Sequence, residues 1–376
     1  MEFQKTLLKY KKNFLYKNLP NVDNKVNNIY YKYFIIIPIY NELNFIIDTL
    51  DSINRQNKNY LIDTLVVLVI NNSKDDANFI KENNKFTDQK IRKQDYNYEY
   101  IILDYFSKKN ALDNNDSGVG VSRKIGMDFI IKYAKKNSLI FSLDADTLVH
   151  PKYLEIISNY FSEKKIKACT VNFKHQHSYD KDLEKGIRQY EKTLKLIAKK
   201  IKNAGSPYGY VSMGSTIVCT VQAYIAVGGM SKKKATEDFY FLQSLAKYTA
   251  IAQISKILVY PSSRCEERVY LGTGHSMVEY KNNNDFNKLK FSNISFINLK
   301  LFLNIIYKYI QHDFQFVFKK LESKIDKKSI KFLKDNHFSH IWNKMNKPTL
   351  PISQRKILFD QWFDALKVIK FLKQLS

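Results

Sequence analysis

Cysteine is scarce in this chain of 376 residues: three stand at positions 169, 219 and 265, with no C-x-x-C pair. Odd in number and widely spaced, they exclude a disulfide framework and a cysteine-based zinc site, and they read as reduced core thiols. Also lacking is any apolar run of the roughly 18 to 20 residues that a membrane span requires. The opening stretch MEFQKTLLKYKKNFLYKNLP has no continuous apolar segment of the signal-peptide kind. The expectation is a cytoplasmic protein. Acidic residues are in deficit, 36 Asp and Glu against 61 Lys and Arg, for a formal net charge of +25. This excess is spread along a chain rich in Lys, Asn, Ile and Tyr, and no RNA-recognition, zinc-finger or helix-turn-helix signature accompanies it. Anionic lipid headgroups would attract such a charge as well as nucleic acid would. No internal repeat is evident.

What is there, with a hydrophobic fraction of 44%, is enough apolar residue to build a large core. After a basic stretch over 1–30 that reads as a short helical arm, YFIIIPIYNE (33–42) reads as a strand closed by Pro38 and polar loop residues, with a helical pattern following over 43–53. LVVLVI (65–70) is a second, fully apolar strand ending in the turn-forming NNSKDD, and a helix is expected around 76–83, then a polar stretch over 83–98. YIILDY gives a third strand, 122–136 a helix and SLIFSL a fourth strand. Strands alternating with helices predict a doubly wound, mostly parallel α/β sheet, in which ligands bind beyond the carboxyl ends of the strands. Asn41, Asn71 and Asp144 fall at such ends.

Further on, Pro151 suits the first turn of a helix, KACTVNFKHQH and GSTIVCT read as strands, and 181–201 reads as a long amphipathic helix. His175 and His177 alternate on the first of those strands like ordinary polar-face residues. From 281 to 376 there are 19 Lys or Arg against 7 Asp or Glu, with apolar positions at helical spacing, which predicts a basic helical region. The expected domains are a helical arm (1–30), an α/β catalytic domain (31–278) and a helical C-terminal region (279–376). That last region would cap the fold, dock on an anionic leaflet or bind a partner.

The sequence SLIFSLDADTLVHP sets Asp144 and Asp146, two like charges, directly after an apolar strand. Both ionise cheaply when a cation shares the site. A hard divalent ion such as Mg²⁺ or Mn²⁺ prefers carboxylate oxygens and completes its shell with ligand phosphates. A second acidic pair, Glu237 and Asp238, follows Thr236, a residue suited to cap the helix that begins there. A carboxylate held at a helix start beside a pocket is also placed to act as a general base on a hydroxyl.

IIIPIYNE, VVLVINNSKDD, GVGVSRKIGMD, LDADT and TEDFYF stand in an order and spacing that resembles the family-2 glycosyltransferases of the GT-A fold, over about residues 33 to 275. The resemblance implies a nucleotide-sugar donor, one divalent metal and an inverting single displacement. By the same resemblance Pro38, Tyr40, Asn41 and Glu42 line the nucleotide pocket. Asn71 and Asn72 stand where relatives carry paired aspartates. Arg123 contacts the donor, although Lys124 follows it where the family has Asn. Asp144 faces the ribose and assists at the metal, which Asp146 binds, and Asp238 is the base with Glu237 orienting the acceptor. The Gln-x-x-Arg-Trp element of processive members is absent, PSSRCEERVYLGTG standing in its place. One sugar per encounter is therefore expected. Arg264 and Arg268 would reach the diphosphate, and His275, on the glycine-containing GTGH segment, would approach the metal.

The expected partners are the donor and a glycan or lipid-linked acceptor, with a peripheral location at the inner face of the plasma membrane through the basic C-terminal region and no nucleic acid. Two rival readings are a nucleotidyltransferase of similar layout, which would want a glycine-rich, Lys-containing loop where PIYNEL stands, and a non-enzymatic basic nucleic-acid-binding protein. The second leaves Asp144, Asp146 and Asp238 without a shared purpose.

Overall fold

The computed structural model describes residues 2–20, 26, 28–266, 272–283, 285–286 and 289–375. They form two compact units, one from 1–187 and 212–282, the other from 188–211 and 283–376.

The first unit runs α1 (Glu2–Asn13), β1 (Tyr31–Ile39), α2 (Ile46–Asn54), α3 (Lys58–Leu61), β2 (Thr64–Asn71), α4 (Asn78–Arg92), β3 (Glu99–Tyr105), α5 (Val119–Phe129), β4 (Ala134–Ser142), β5 (Leu148–Val149), α6 (Tyr153–Lys164) and β6 (Ala168–Phe173). The long α7 (Lys181–Asn203) passes from it into the second unit. The chain then returns through β7 (Ile217–Thr220), α8 (Val221–Ala226), α9 (Glu237–Tyr248), β8 (Ala252–Tyr260) and α10 (Thr273–Asn283). The strands make one sheet in the order β3-β2-β1-β4-β7-β6-β8-β5. β7 is antiparallel to both its neighbours and β5 to β8, while every other pairing is parallel. This is the expected class of architecture: a mostly parallel α/β sheet with helices, and a helical C-terminal region.

The reason lies in the strands themselves. All eight residues of β2 are buried, so its unbroken apolar run has no solvent face and requires cover on both sides. Strand order runs outward one way through β2 and β3 and the other way through β4, so the switch point lies between β1 and β4, where ligand crevices form in such sheets. Pro38 helps open it. The Ile36 carbonyl accepts from Leu143 N (3.1 Å), and alternation aims the Pro38 nitrogen the same way, where pairing with β4 has stopped at Ile36–Ser142. A proline there costs no ladder bond.

Several boundaries differ from expectation. α4 continues to Arg92 through the supposed polar stretch, because only Asn84, Thr87 and Ile91 of its residues are buried and its other faces meet water. α5 stops at Phe129, passes through a 3₁₀ turn at Ile130–Tyr133, and β4 takes over at Ala134, so Lys135 and Lys136 lie on a strand. Pro151 precedes α6 in a turn closed by Tyr153 N donating to His150 O (2.8 Å). β6 ends at Phe173. His175 and His177 lie beyond it, the first buried beside Thr273 Oγ1 (3.3 Å) and the second exposed near Glu184 (3.3 Å).

Within the expected arm, α1 covers Glu2–Asn13, and this segment is tied to α5. Buried Asp128 accepts from Tyr10 Oη (2.5 Å), Tyr224 Oη (2.6 Å) and Tyr16 N (2.7 Å), and Lys124 Nζ lies 3.0 Å from it. Lys124 is thus a structural cation in an aromatic setting.

The second unit contains α11 (Asn293–Lys308), α12 (Phe314–Glu322), α13 (Lys327–Asp335), α14 (Phe338–Met345), α15 (Ile352–Trp362) and α16 (Ala365–Lys373). Phe302 is its centre, with the rings of Phe363 at 5.0 Å, Phe371 at 5.5 Å and Phe359 at 5.8 Å. Trp342 is fully buried, and its indole nitrogen donates to His312 O (3.1 Å), which satisfies the one polar atom it takes inside.

Candidate active site

The site lies in the first unit, at the carboxyl ends of β1, β2 and β4. The D-A-D loop after β4 is fixed through its backbone. Thr49 Oγ1 of α2 donates to Ala145 O (2.9 Å), Gln176 Nε2 donates to Asp146 O (2.7 Å), and Thr147 N closes a turn onto Asp144 O (3.1 Å). The two aspartate side chains, at 34% and 18% exposure, are left to meet different partners.

Each aspartate is held by its own arginine, and each arginine reaches a glutamate from elsewhere in the chain. Arg123, buried on α5, donates through Nη2 to Asp144 Oδ1 and through Nη1 to Glu237 Oε1. Burial opposes its charge, but Asp144, Glu237 and Asp238 outweigh burial and raise its pKa. Arg264, in the segment after β8, places Nη2 2.6 Å from Glu42 Oε1 and 3.2 Å from Asp146 Oδ2. Its Nε is 3.4 Å from Glu266, and its guanidinium lies 4.2 Å from the centre of the Phe45 ring. The first arginine links the D-A-D loop to α9, the second links it to the end of β1.

Glu237 and Asp238 occupy the first turn of α9, where the helix dipole favours anions. Thr236 stands at the N-cap position without capping. Its backbone is left-handed (φ 64°) and its hydroxyl donates to Ala235 O (2.6 Å) instead of accepting from an orphan N–H of the helix. Burial raises the Glu237 carboxyl to about 7, against the pull of Arg123 and with the help of Asp238. Burial raises Asp238 as well, Arg123 again opposing. Glu237 is buried against Arg123 while Asp238 is only half-buried, so Asp238 is the more accessible oxygen base.

Two glycines allow this approach. A methyl group on Gly120 of α5 would collide with the carbonyl oxygens of Ser231 and Lys233, and one on Gly214 would collide with the Arg123 guanidinium. Gly120 stands in the GVGVSRKIGMD stretch singled out above, but what each glycine must clear comes from a segment distant along the chain.

At the end of β1 the chain turns through Asn41 in the left-handed region (φ 59°), which Asn tolerates better than most residues. The Asn41 N–H donates to Asn84 Oδ1 (3.0 Å), and Tyr40 Oη donates to Asp76 Oδ1 (3.1 Å). Glu42 is buried. Asn71 and Asn72 are also buried. Asn71 Nδ2 donates to Ile39 O (3.0 Å), and Asn72 Oδ1 accepts from Asn84 Nδ2 (3.0 Å), so both knit β1, β2 and α4 together. Asn84 is the residue that completes this amide network, and its place in a polar helix concealed it.

Among the described residues no group of three or more His, Cys, Asp or Glu side chains could hold a metal ion. His275, in the first turn of α10, has its Nε2 3.4 Å from Glu279 and is not gathered with the aspartates. Arg268 lies outside the described residues. Asp144 and Asp146 offer hard oxygen donors, which fits Mg²⁺ or Mn²⁺ completed by phosphate oxygens and water rather than an all-protein cage.

No protein-family model matches the sequence, and no curated protein matches it. Among solved structures, the chain is similar to S. aureus TarS in complex with UDP-GlcNAc, at 15% identity and a TM-score of 0.45 over 87% of this chain and 90% of that one. It is similar to mannosyltransferase PcManGT from Pyrobaculum calidifontis in complex with GDP-Man and Mn²⁺, at 12% identity and a TM-score of 0.40, covering 96% and 94% of the two chains. A third similarity is to glucosyl-3-phosphoglycerate synthase from Mycobacterium tuberculosis in complex with Mn²⁺, UDP-glucose and phosphoglyceric acid, at 12% identity and a TM-score of 0.36, covering 64% and 73%.

Proposed function

We propose that the first unit is an inverting glycosyltransferase that moves one sugar from a nucleotide-sugar donor to a hydroxyl acceptor on a glycan or a lipid-linked saccharide. The observation that carries this reading is the convergence at the sheet's switch point of the D-A-D loop, Arg123, the Glu42 turn and the carboxylates of α9, four stretches far apart in sequence. A catalyst needs such a convergence; a binding surface built on net charge does not.

In this reading Tyr40, Asn41, Glu42 and Asp144 receive the nucleoside, while Pro38, Asn71 and Asn72 shape the floor beneath it. Asp146, with Asp144 beside it, would hold Mg²⁺ or Mn²⁺, which when bound supplies positive charge against the charge that builds on the departing nucleoside diphosphate. Arg264 lies against Asp146 and Glu42 and serves the same diphosphate from the protein side. Asp238 takes the acceptor's proton as the hydroxyl oxygen attacks the anomeric carbon from the face opposite the leaving group. Glu237 holds Arg123 in place and orients the acceptor.

Calorimetric titration of nucleoside diphosphates and nucleotide sugars, with Mn²⁺ and with chelator, tests this. Metal-dependent binding of one nucleotide, lost in Asp146→Ala, is expected. Absence of binding across the panel by a folded protein would overturn the reading.

A further inference from the structure

The second unit holds a groove that the transfer chemistry does not use. Residues 188–211 and 283–376 carry 24 Lys and Arg against 8 Asp and Glu, a net charge of +16 of the whole chain's +25. The rest of the chain carries 37 against 28. The positive charge is therefore concentrated in the helical unit, beyond what a uniform lysine bias would give.

Between α7 and the start of α11 lies a groove of about 720 Å³, within the range of ligand-binding clefts. Leu196, Phe291 and Phe296 are among its apolar walls, and Lys200, Lys290 and Lys373 are its basic residues. Lys200 Nζ donates to Asn293 Oδ1 (2.7 Å) and lies 5.0 Å from the Phe296 ring centre, which holds the ammonium close to the apolar surface. Lys290 pairs with Asp285. Beside the groove, Leu196 is 47% exposed, and Ile294 and Ile297, one turn apart on α11, are 60% and 58% exposed. Apolar side chains bared next to lysines, in a unit of this charge, match a ligand that is both anionic and oily.

We propose that this groove and the adjoining face of α11 bind the anionic phospholipid of a bilayer surface, the phosphodiester meeting the lysines and the first methylenes of the acyl chains entering the groove. A nucleic acid would satisfy the lysines but would leave the aliphatic residues in water. The assignment is independent of the donor site, and vesicle binding requires no nucleotide sugar, so either reading can fail alone.

The test is sedimentation of the full-length protein with phosphatidylcholine vesicles, with and without phosphatidylglycerol, alongside Leu196→Asp and the pair Lys290→Glu and Lys373→Glu. Both sites are exposed enough for the fold to tolerate them, and thermal melting checks this; Lys373→Gln serves if the pair melts early. Wild type should bind only vesicles containing phosphatidylglycerol. The lysine pair should weaken binding by at least about thirtyfold, from the ~1 kcal/mol that each basic residue contributes near an anionic leaflet, before the repulsion of the new carboxylates is added. Leu196→Asp should weaken it too, and excess inorganic phosphate should not displace it. Equal binding to both vesicles, no binding, variants that bind like wild type, or displacement by free phosphate would each overturn the proposal. Failure to bind vesicles together with lysine-dependent binding of a single-stranded oligonucleotide would reassign the surface to nucleic acid.

Discussion

Arg123 and Asp238 carry the sharpest consequences at the scale of single residues. Arg123 spends its guanidinium on Asp144 and Glu237, so in the proposed reaction Asp238, raised by burial and only half-covered, is the carboxylate left to accept a proton. Asp238→Asn should lower kcat by about 10²- to 10⁴-fold, the ordinary range for loss of a general base, while nucleotide binding measured by calorimetry stays intact. The base works as the anion. The wild-type rate should therefore fall as pH drops through a pKa above the usual aspartate range, and this limb should vanish from the residual rate of Asp238→Asn. At this scale the sequence was legible where chemistry is concentrated: D-A-D and T-E-D announce carboxylates whatever surrounds them. It was silent on which arginine faces which carboxylate, because Arg264 and Glu42 lie 222 positions apart and only the assembled sheet brings them together.

Among elements, α5 does the most to assemble the site, and it does so through contacts that a sequence pattern does not encode. One of its residues, Gly120, lets the 231–237 loop pass over it without a Cβ in the way. Gly120→Ala should cost about 1–3 kcal/mol of stability, as overpacking does, read as a fall in the urea midpoint, and should lower activity by displacing the start of α9. Further along the same helix, Lys124 and Asp128 receive Tyr10, Tyr16 and Tyr224. Asp128→Ala removes one partner from a buried pair and should destabilise by about 3–5 kcal/mol, measured by chemical denaturation. Strand β2 was readable from its unbroken apolar run, whereas α4 was readable only at its start, because two of its three buried side chains, Asn84 and Thr87, are polar.

For the whole molecule, charge is the dominant variable. A net +25, with +16 of it in the helical unit, stores self-repulsion that counter-ions relieve. Raising the ionic strength with a neutral salt should therefore raise the thermal midpoint, most for the transition that the helical unit contributes, and scanning calorimetry at low and high salt measures this. A midpoint that falls with salt would mean that surface ion pairs outweigh the repulsion. Strand-helix alternation was sufficient to anticipate the sheet class, since a run of β-α units admits few topologies. The union of 188–211 with the C-terminal helices was not anticipated, because α7 is one continuous amphipathic helix, and Gly186, which stands just before the change of unit, does not interrupt it.

The D-A-D loop is anchored by Thr49 and Gln176 through main-chain oxygens, a feature that every residue type at 145 and 146 would share. The acidic side chains are therefore separable from the architecture that presents them. Asn in place of Asp146 should leave the thermal midpoint almost unchanged while abolishing metal-dependent nucleotide binding, a pairing of results that thermal melting and calorimetry read separately. For this protein, the charge in the loop can be removed without removing the frame that presents it.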